Sequence, residues 1–199
     1  GKLGVDFNTD YMWYGKKEPM NTHEVYTGTD AIKHTEDINT HRRTYNWIIA
    51  SKLVLSYPVW NGTFSWGIEG SETNRKEFYS VLPENKVSNV SNHIDEIMQA
   101  MMVDYARQFG PLSVQVGLRY EHLNFKFYDH DVLQEEASKK YNDIFPSLSL
   151  SMPVGRAQMQ LSYGVDVSRP SYSQLRSGIQ YDNRFTYEGG NPLLRPTFT

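Results

Sequence analysis

Residues 112–121 read LSVQVGLRYE, a stretch in which apolar and polar side chains alternate without a break. Successive side chains of a β-strand point to opposite faces of the sheet, so a period of two indicates a strand. One face would carry Leu112, Val114, Val116, Leu118 and Tyr120, and the other would carry the Ser, Gln, Gly, Arg and Glu side chains. The stretch therefore predicts a strand with one apolar and one polar face.

The same alternation recurs along the chain, in residues 3–13, 45–57, 64–68, 148–152 and 159–167. Strands of globular proteins average about 5–6 residues, whereas about 9–11 tilted residues cross a bilayer. Segments 41–57, 112–128 and 157–169 are long enough to cross. We predict an all-β fold, an antiparallel up-and-down meander of roughly seven strands with the start of an eighth at 195–199.

Short and long connections alternate between these strands. The short ones are residues 58–62 with an Asn61-Gly62 turn, Gly110-Pro111 and Gly155-Arg156; the long ones are residues 15–40, 75–93, 129–141 and 170–190. Outer-membrane barrels have short periplasmic turns at one end and long extracellular loops at the other. The sorting therefore predicts strands of a transmembrane β-barrel of the outer membrane.

The composition excludes helical membrane spans but permits a barrel. The chain has a mean hydropathy of −0.60, and nowhere does it reach the roughly 18 consecutive apolar residues of a transmembrane helix. A barrel shows lipid only every second side chain, so its average hydropathy resembles that of a soluble protein. Aromatic residues make up 14% of the chain, which fits either an aromatic β core or two girdles at the membrane interfaces.

Two segments depart from the simple pattern. Residues 94–109 are rich in helix formers, and their apolar positions fit a helical stripe as well as a strand. Their place between a long loop and the Gly110-Pro111 hairpin favours a strand. After Tyr120 the apolar positions change parity to Leu123, Phe125 and Phe127, which indicates a β-bulge or an exit from the membrane band.

The sequence carries no signature of catalysis, and we predict no enzyme activity, cofactor or metal. A net charge of −3 gives no basic footprint for nucleic acid, and the absence of cysteine rules out disulfides and thiolate metal sites. Six histidines are scattered, mostly in predicted loops. Asp129-His130-Asp131 is a candidate cation site, although such a triplet is more typical of a turn. Asn61-Gly62-Thr63 matches a glycosylation sequon but fits a turn better.

Several charged residues fall on the polar faces of the predicted strands: Asp6, Asp10, Lys52, Glu69, Arg119, Glu121 and Asp166. In a barrel they would line the lumen and contact water, a plug domain or cargo. A solvated strand face without a dedicated ligand explains them equally well. The sequence does not identify the ligand-binding residues, because loops choose the ligand in this architecture.

The last half of the chain resembles a known family. The motif Phe145-Pro146-Ser147-Leu148 is followed by Ser168-Arg169-Pro170-Ser171-Tyr172, then by Gly190-Asn191-Pro192 with Leu194 and Pro196, and Gly117-Leu118-Arg119-Tyr120-Glu121 lies upstream. These motifs are similar to those of the Bacteroidetes-type outer-membrane β-barrel family related to TonB-dependent receptors. The similarity extends roughly from residue 94 to residue 199.

The resemblance implies a receptor or transporter in the outer membrane of a Gram-negative bacterium. Complete members would have a barrel of about 22 strands, an N-terminal plug domain, energy supplied through TonB and an imported ligand. We expect residues 1–199 to form a single partial barrel segment in contact with outer-membrane lipid, without the plug. The alternative is a soluble β-sandwich or small barrel that serves as a binding or adhesion module. In that alternative the apolar faces would pack on each other.

Overall fold

The computed structural model describes residues 2–27, 29, 32–84 and 86–199. Seven long strands dominate it, and five short ones follow or interrupt them. The strands are β1 (Gly4–Thr27), β2 (Lys33–Val59), β3 (Gly62–Leu82), β4 (Val90–Phe109), β5 (Leu112–Asp129), β6 (Val132–Leu133), β7 (Lys139–Val154), β8 (Ala157–Gly164), β9 (Val167–Ser168), β10 (Ile179–Asn183), β11 (Thr186–Gly189) and β12 (Thr197–Phe198).

The long strands form one antiparallel meander in the order β1-β2-β3-β4-β5-β7-β8, with β6 paired to the end of β5. Each strand pairs with the next in sequence, and the register from β1 to β8 contains no shift. The sheet curls into a half-barrel. The predicted all-β meander and partial barrel are confirmed.

The three short turns join the strands at one end of the sheet. Gly110 and Gly155 have φ of 58° and 61° and occupy the two predicted tight turns. The first turn differs from the prediction, because Val59 pairs with Gly62 and the two loop residues are Trp60 and Asn61. Their φ values of 50° and 58° are those of a type I′ hairpin, in which both central residues have positive φ. Gly62 is instead required by packing, since a Cβ there would lie 2.5 Å from the Ala106 carbonyl oxygen.

The predicted long links are shorter than expected. Residues 15–27 and 33–40 continue β1 and β2 as paired strands, and only residues 83–89 separate β3 from β4. The prediction of a polar link over 15–40 was wrong because cross-strand backbone hydrogen bonds do not require apolar side chains. The strands therefore extend well beyond their apolar portions.

The two ambiguous segments are now assigned. Residues 94–109 are strand, as their position favoured. The parity change after Tyr120 involves no bulge, since β5 keeps one register with β4 and with β7 throughout. Leu123, Phe125 and Phe127 instead lie on the polar face of the sheet and are buried there. Of the two expected explanations, the bulge was wrong, because the register is unbroken, and the exit from the membrane band stays a prediction. A later segment of the chain covers these side chains.

That covering segment is residues 165–199, which we call the strap. The predicted strand 157–169 ends at Gly164, and β9 then pairs with β12 rather than with the wall. The predicted eighth strand at 195–199 is therefore not part of the main sheet. The predicted loop 170–190 contains the β10–β11 hairpin and folds back across the polar face of β5, β4, β3 and β2.

Two apolar clusters hold the strap to the sheet. Leu175 packs with three buried wall residues, Ile94, Phe125 and Phe127, and with Ala137 of the connection between β6 and β7. Tyr181 packs with a second set, Ile38, Tyr79, Val81 and Val90. Both clusters lie toward the end of the sheet opposite the short turns. The apolar side chains on the polar face of the wall thus form a core with the strap.

Candidate functional site: the covered inner wall

The register assigns every wall residue to one of two faces. The strap covers part of one face, which we call the inner face; the opposite one is the outward face. Six of the seven predicted charged residues lie on the inner face: Asp6, Asp10, Lys52, Glu69, Arg119 and Glu121. Asp166 is the exception, because it follows the end of β8 and its backbone pairs with Thr199.

A chain of charges crosses the inner face and ends on the strap. Lys52 Nζ lies 4.0 Å from Glu69 Oε2, and Arg119 donates to the same oxygen at 2.9 Å. Arg119 also donates to Glu121 Oε2 at 3.1 Å, and Arg169 of the strap donates to Glu121 Oε1. The Glu121 side chain is buried, so its two arginine partners offset the cost of removing its charge from water.

A second buried carboxylate binds the strap further up. Glu77, whose side chain is 5% exposed, lies 3.2 Å from Arg75 Nη2 and 3.3 Å from Arg176 Nε. Gln180 donates to Glu77 Oε1 at 3.4 Å and accepts a hydrogen bond from Arg42. Because Arg176 and Gln180 belong to the strap, the wall and the strap share one polar network at this point.

The residues that carry the family resemblance hold the strap in shape. A Cβ on Gly190 would lie 2.6 Å from the Arg176 carbonyl oxygen, so the returning leg of the strap touches the outgoing leg. The Asn191 amide donates to the Gln174 carbonyl oxygen at 2.6 Å, and the Asn191 side chain accepts from the Leu193 amide at 2.9 Å. Arg169 supplies the contact with Glu121. The Arg-Pro and Gly-Asn-Pro motifs therefore build the strap.

Two strap tyrosines have raised pKa values. Burial, together with the nearby Glu96 carboxylate, raises the pKa of Tyr172 to about 12, and the Tyr172 hydroxyl donates to Glu96 at 3.2 Å. Burial and a hydrogen bond to Glu24 also raise the pKa of Tyr181. Both phenols stay neutral at physiological pH and act there as hydrogen-bond donors to carboxylates.

The outward face is apolar next to the short turns, and none of the described residues forms a layer against it. Eight of its exposed aromatic residues lie in two rows, one near the turns (Tyr57, Trp60, Phe64, Phe109) and one further up (Tyr11, Trp13, Tyr45, Tyr120), and three lie between the rows, Phe7, Trp66 and Tyr163. A soluble sandwich would bury this face against a second sheet. Instead the apolar band and its two aromatic rows match the lipid-facing surface of a membrane barrel.

The apolar band runs obliquely to the hydrogen-bond rows. Its upper edge is at Trp13 on β1 and at Ile144 on β7. The residues paired across the sheet from Ile144 lead to Phe7 on β1, which is six residues from Trp13. The edge thus drops by about six residues over five strand steps, a slope that corresponds to a strand tilt of about 40°. Barrel strands tilt by about 35–45°. The band therefore lies parallel to the membrane plane in a barrel whose strands are tilted by this angle.

The candidate cation site is a turn. His130 and Asp131 have φ of 49° and 61° and form a two-residue loop between Asp129 and Val132. His130 Nδ1 lies 2.9 Å from Asp129 Oδ1. Within residues 2–27, 29, 32–84 and 86–199, no group of three His, Asp or Glu side chains is arranged to hold a metal. In the same residues no helix is long and apolar enough to cross a membrane.

The fold of the sheet has similar counterparts among solved structures. The sheet resembles the ferric citrate transporter FecA in its unliganded form, with a TM-score of 0.55 and 12% identity over 83% of this chain and 26% of FecA. The alcaligin outer-membrane receptor FauA from Bordetella pertussis gives a TM-score of 0.49 and 11% identity over 86% of this chain and 33% of FauA. The chain thus spans about a quarter to a third of the length of these proteins. No curated protein sequence matches the chain significantly.

The tilted sheet, the apolar outward band and the polar inner wall define an outer-membrane β-barrel protein. The chain belongs to the outer membrane protein β-barrel family, which it matches over residues 1–199. Its location is the outer membrane. Barrels of the outer membrane generally have their short turns at the periplasmic end, and the strap lies toward the opposite end of this sheet.

Sequence reasoning missed the strap as part of the inner wall. It assigned residues 170–190 to an extracellular loop, although Leu175 and Tyr181 are buried against the sheet. One signal was available, because the apolar residues Leu123, Phe125 and Phe127 fall on the polar face and require a cover. Sequence alone gave no way to find the cover among the several long connections.

Proposed function

We propose that this chain is part of the barrel wall of a TonB-dependent receptor or transporter, a non-enzymatic protein that imports a ligand across the outer membrane. The observation that supports this most is the inner wall, which carries linked charges from Lys52 to Arg169 at the depth of the lipid. A small barrel would fill its interior with packed side chains. Charges in this position fit a wide lumen that holds water, a plug domain or cargo.

In this proposal residues 1–199 are a single partial segment of the barrel, and the plug and the TonB-interacting part lie elsewhere in the full-length protein. The strap and the extracellular ends of the strands face the arriving ligand. The β10–β11 hairpin presents Phe185, which is 91% exposed, beside Arg184 and Tyr187. Exposed aromatic and cationic side chains at the entrance of the lumen fit a capture surface.

The test compares two strains of the source bacterium across a panel of nutrients. One strain lacks the full-length protein and the other lacks TonB. We expect the first strain to lose uptake of at least one nutrient that the second strain also loses, and to regain it when the gene is restored. A deletion strain that imports every TonB-dependent nutrient at the normal rate would contradict the transport role, although it would leave the barrel architecture intact.

A further inference from the structure

One side of β7 has no neighbouring strand at the end opposite the short turns. β8 pairs with β7 only as far as Gly164, and the Val165 amide then makes a last bond to the Pro146 carbonyl oxygen at 3.3 Å. β7 itself begins further up, at Lys139, and is paired there with β5 alone. Residues 139–145 therefore have a strand on one side only, and we call their open side the β7 edge.

Three residues direct their backbone groups toward the β7 edge. The backbone groups of successive strand residues point alternately to the two sides of the strand, and the Pro146 carbonyl oxygen points to the β8 side. The amides and carbonyls of Lys140, Asn142 and Ile144 therefore point to the same side, and all three residues are exposed. In the part of the chain that the structure describes, these groups have no backbone partner. They form a short row of donors and acceptors without a strand opposite.

The neighbouring segments of the chain are poorly suited to pair with this edge. β9 follows β8, and by the alternation of a strand the Val167 amide points away from β12, toward the β7 side. That amide already donates to Asp166 Oδ1 at 2.7 Å. The strap passes the inner side of β7 with Pro170 and Pro196, and proline has no amide hydrogen to donate. The donors and acceptors of the β7 edge are therefore left for another strand.

The β7 edge begins where the apolar band of the outward face ends. Ile144 lies at the upper edge of that band, and Asn142 and Lys140 lie further from the short turns. An unpaired strand edge is not tolerated in lipid, because no water is there to bond its backbone groups. Beyond the band water reaches these groups, so an arriving peptide can replace the water.

An apolar slot lies beside the edge on its inner side. Tyr141 of β7 lines it together with Leu194 and Pro196 of the strap, and its volume is about 40 Å³. A slot of this size has room for a small apolar side chain. A strand paired with Asn142 would point every second side chain inward. It could therefore place one of them in the slot.

We propose that the β7 edge binds an extended peptide as an added strand, with main-chain hydrogen bonds to Lys140, Asn142 and Ile144 and a small apolar side chain in the slot beside Tyr141. Strand addition takes its affinity from the main chain and its selectivity from pockets for alternate side chains. A peptide suits the site because its own backbone repeats donors and acceptors at the spacing of the edge. The inference goes beyond the proposed function, since binding at this edge requires no import.

Hydrogen exchange of the full-length protein in lipid nanodiscs tests whether the edge is open. Without peptide we expect fast exchange of the amides of Lys140, Asn142 and Ile144. The intervening amides of residues 141–145 should exchange slowly, because they point to β5. Slow exchange along the whole stretch would mean that another part of the protein or a second copy covers the edge, and it would overturn the proposal.

The peptide probe is a fluorescein-labelled chain of about six alternating threonine and valine residues, compared with the same chain N-methylated at every amide. The first peptide should bind and slow the exchange of the three edge amides about tenfold or more. The N-methylated peptide has the same side chains but no amide donors, so it should not bind. Equal binding of the two peptides, or binding that leaves the edge amides unprotected, would refute pairing at this edge.

Asn142→Pro removes one edge donor and leaves the bonds between β7 and β5 in place, because a strand edge accepts proline where its amide faces solvent. The comparison is Asn142→Ala, which loses the same side chain but keeps the amide. The valine and threonine peptide should bind Asn142→Pro about fivefold or more weakly than Asn142→Ala. Equal affinities would show that the Asn142 amide does not bind the peptide and would overturn the proposal.

The unfolding midpoints of the variants check the direction of the Asn142 amide. Asn142→Pro and Asn142→Ala should have the same midpoint. Asp143→Pro should have a lower one, because the Asp143 amide points to β5 and proline removes a bond of the wall. A midpoint of Asn142→Pro as low as that of Asp143→Pro would show that the Asn142 amide belongs to the wall, which would refute the open edge.

Discussion

The Tyr79 hydroxyl on β3 donates a hydrogen bond to the Tyr181 carbonyl oxygen at 3.1 Å and accepts one from the Tyr181 amide at 3.0 Å. One wall side chain thus satisfies both backbone groups of a strap residue, as a neighbouring strand would. Both tyrosines are buried, so neither backbone group has water as an alternative partner.

Replacing Tyr79 with Phe should loosen the strap without disturbing the wall. It leaves the Tyr181 amide and carbonyl buried and unpaired, which costs about 1–3 kcal/mol. We expect faster hydrogen exchange in residues 176–189 and unchanged exchange in β4 and β5. The control is Tyr45→Phe on the outward face, which should leave the strap protected. Equal protection in Tyr79→Phe and the wild type would show that the apolar cluster alone holds the strap.

Gly190→Ala should displace the returning leg of the strap. The added methyl would lie 2.6 Å from the Arg176 carbonyl oxygen and 2.9 Å from the Arg176 amide nitrogen, and overpacking of this kind costs about 1–3 kcal/mol. Limited proteolysis should cleave the variant within residues 170–196 about tenfold faster than the wild type.

The control for that variant is Gly164→Ala. A Cβ at Gly164 would lie 4.0 Å from the Pro146 carbonyl oxygen, an ordinary contact. Its cleavage rate should therefore match that of the wild type. Equal cleavage of both variants would argue against the close approach of the two strap legs.

Alkaline pH should release the strap before it unfolds the wall. The folded pKa of Tyr172 is raised to about 12, above the value of about 10 for an unfolded chain. Folding therefore favours the neutral phenol, and its contribution to stability is complete below pH 10 and lost as the pH rises toward 12. The tyrosinate absorbance of the wild type minus that of Tyr172→Phe should show a midpoint near pH 12. A difference midpoint near pH 10 would contradict the buried position of this phenol.

A charge on the outward face should destabilise the barrel much more than the same charge on the inner face. Val116 faces outward near the middle of the apolar band, and its neighbour Gln115 faces inward. Val116→Arg should cost about 2–4 kcal/mol, measured by guanidinium unfolding of the full-length protein in vesicles. Gln115→Arg is the matched control and should cost much less. Equal costs would mean that the two faces see the same surroundings.

The two faces of the wall could be predicted because they depend on local geometry alone. Side chains of a strand alternate wherever the strand is placed, so the assignment of Val116 and Arg119 to opposite faces needed no tertiary information. The length of the strands was underestimated because it depends on tertiary structure. Residues 15–27 are polar on both faces, and their pairing with β2 depends on a partner strand that the pattern does not reveal.

The strap was missed because its contacts join residues far apart in sequence. Tyr79 and Tyr181 are separated by 102 positions, and Glu121 and Arg169 by 48. Local propensity predicts a turn-rich connection over 170–190 and does not indicate where it docks. The family motif was recognised from its amino-acid sequence alone. Its physical role is the close approach at Gly190 and the salt bridge of Arg169, and this role depends on the three-dimensional arrangement of the two strap legs.

The strap runs from Arg169 above β5 to Arg184, whose guanidinium stacks on the Tyr26 ring of β1. In mechanical terms it is a chord that joins the two ends of the arc formed by β1 to β5. Such a chord fixes the curvature of the strands beneath it, because flattening the arc would have to break two buried apolar clusters and two shared carboxylates at once. This stretch of wall therefore behaves as a stiff rib of the barrel, and any widening of the extracellular half has to occur elsewhere around the circumference.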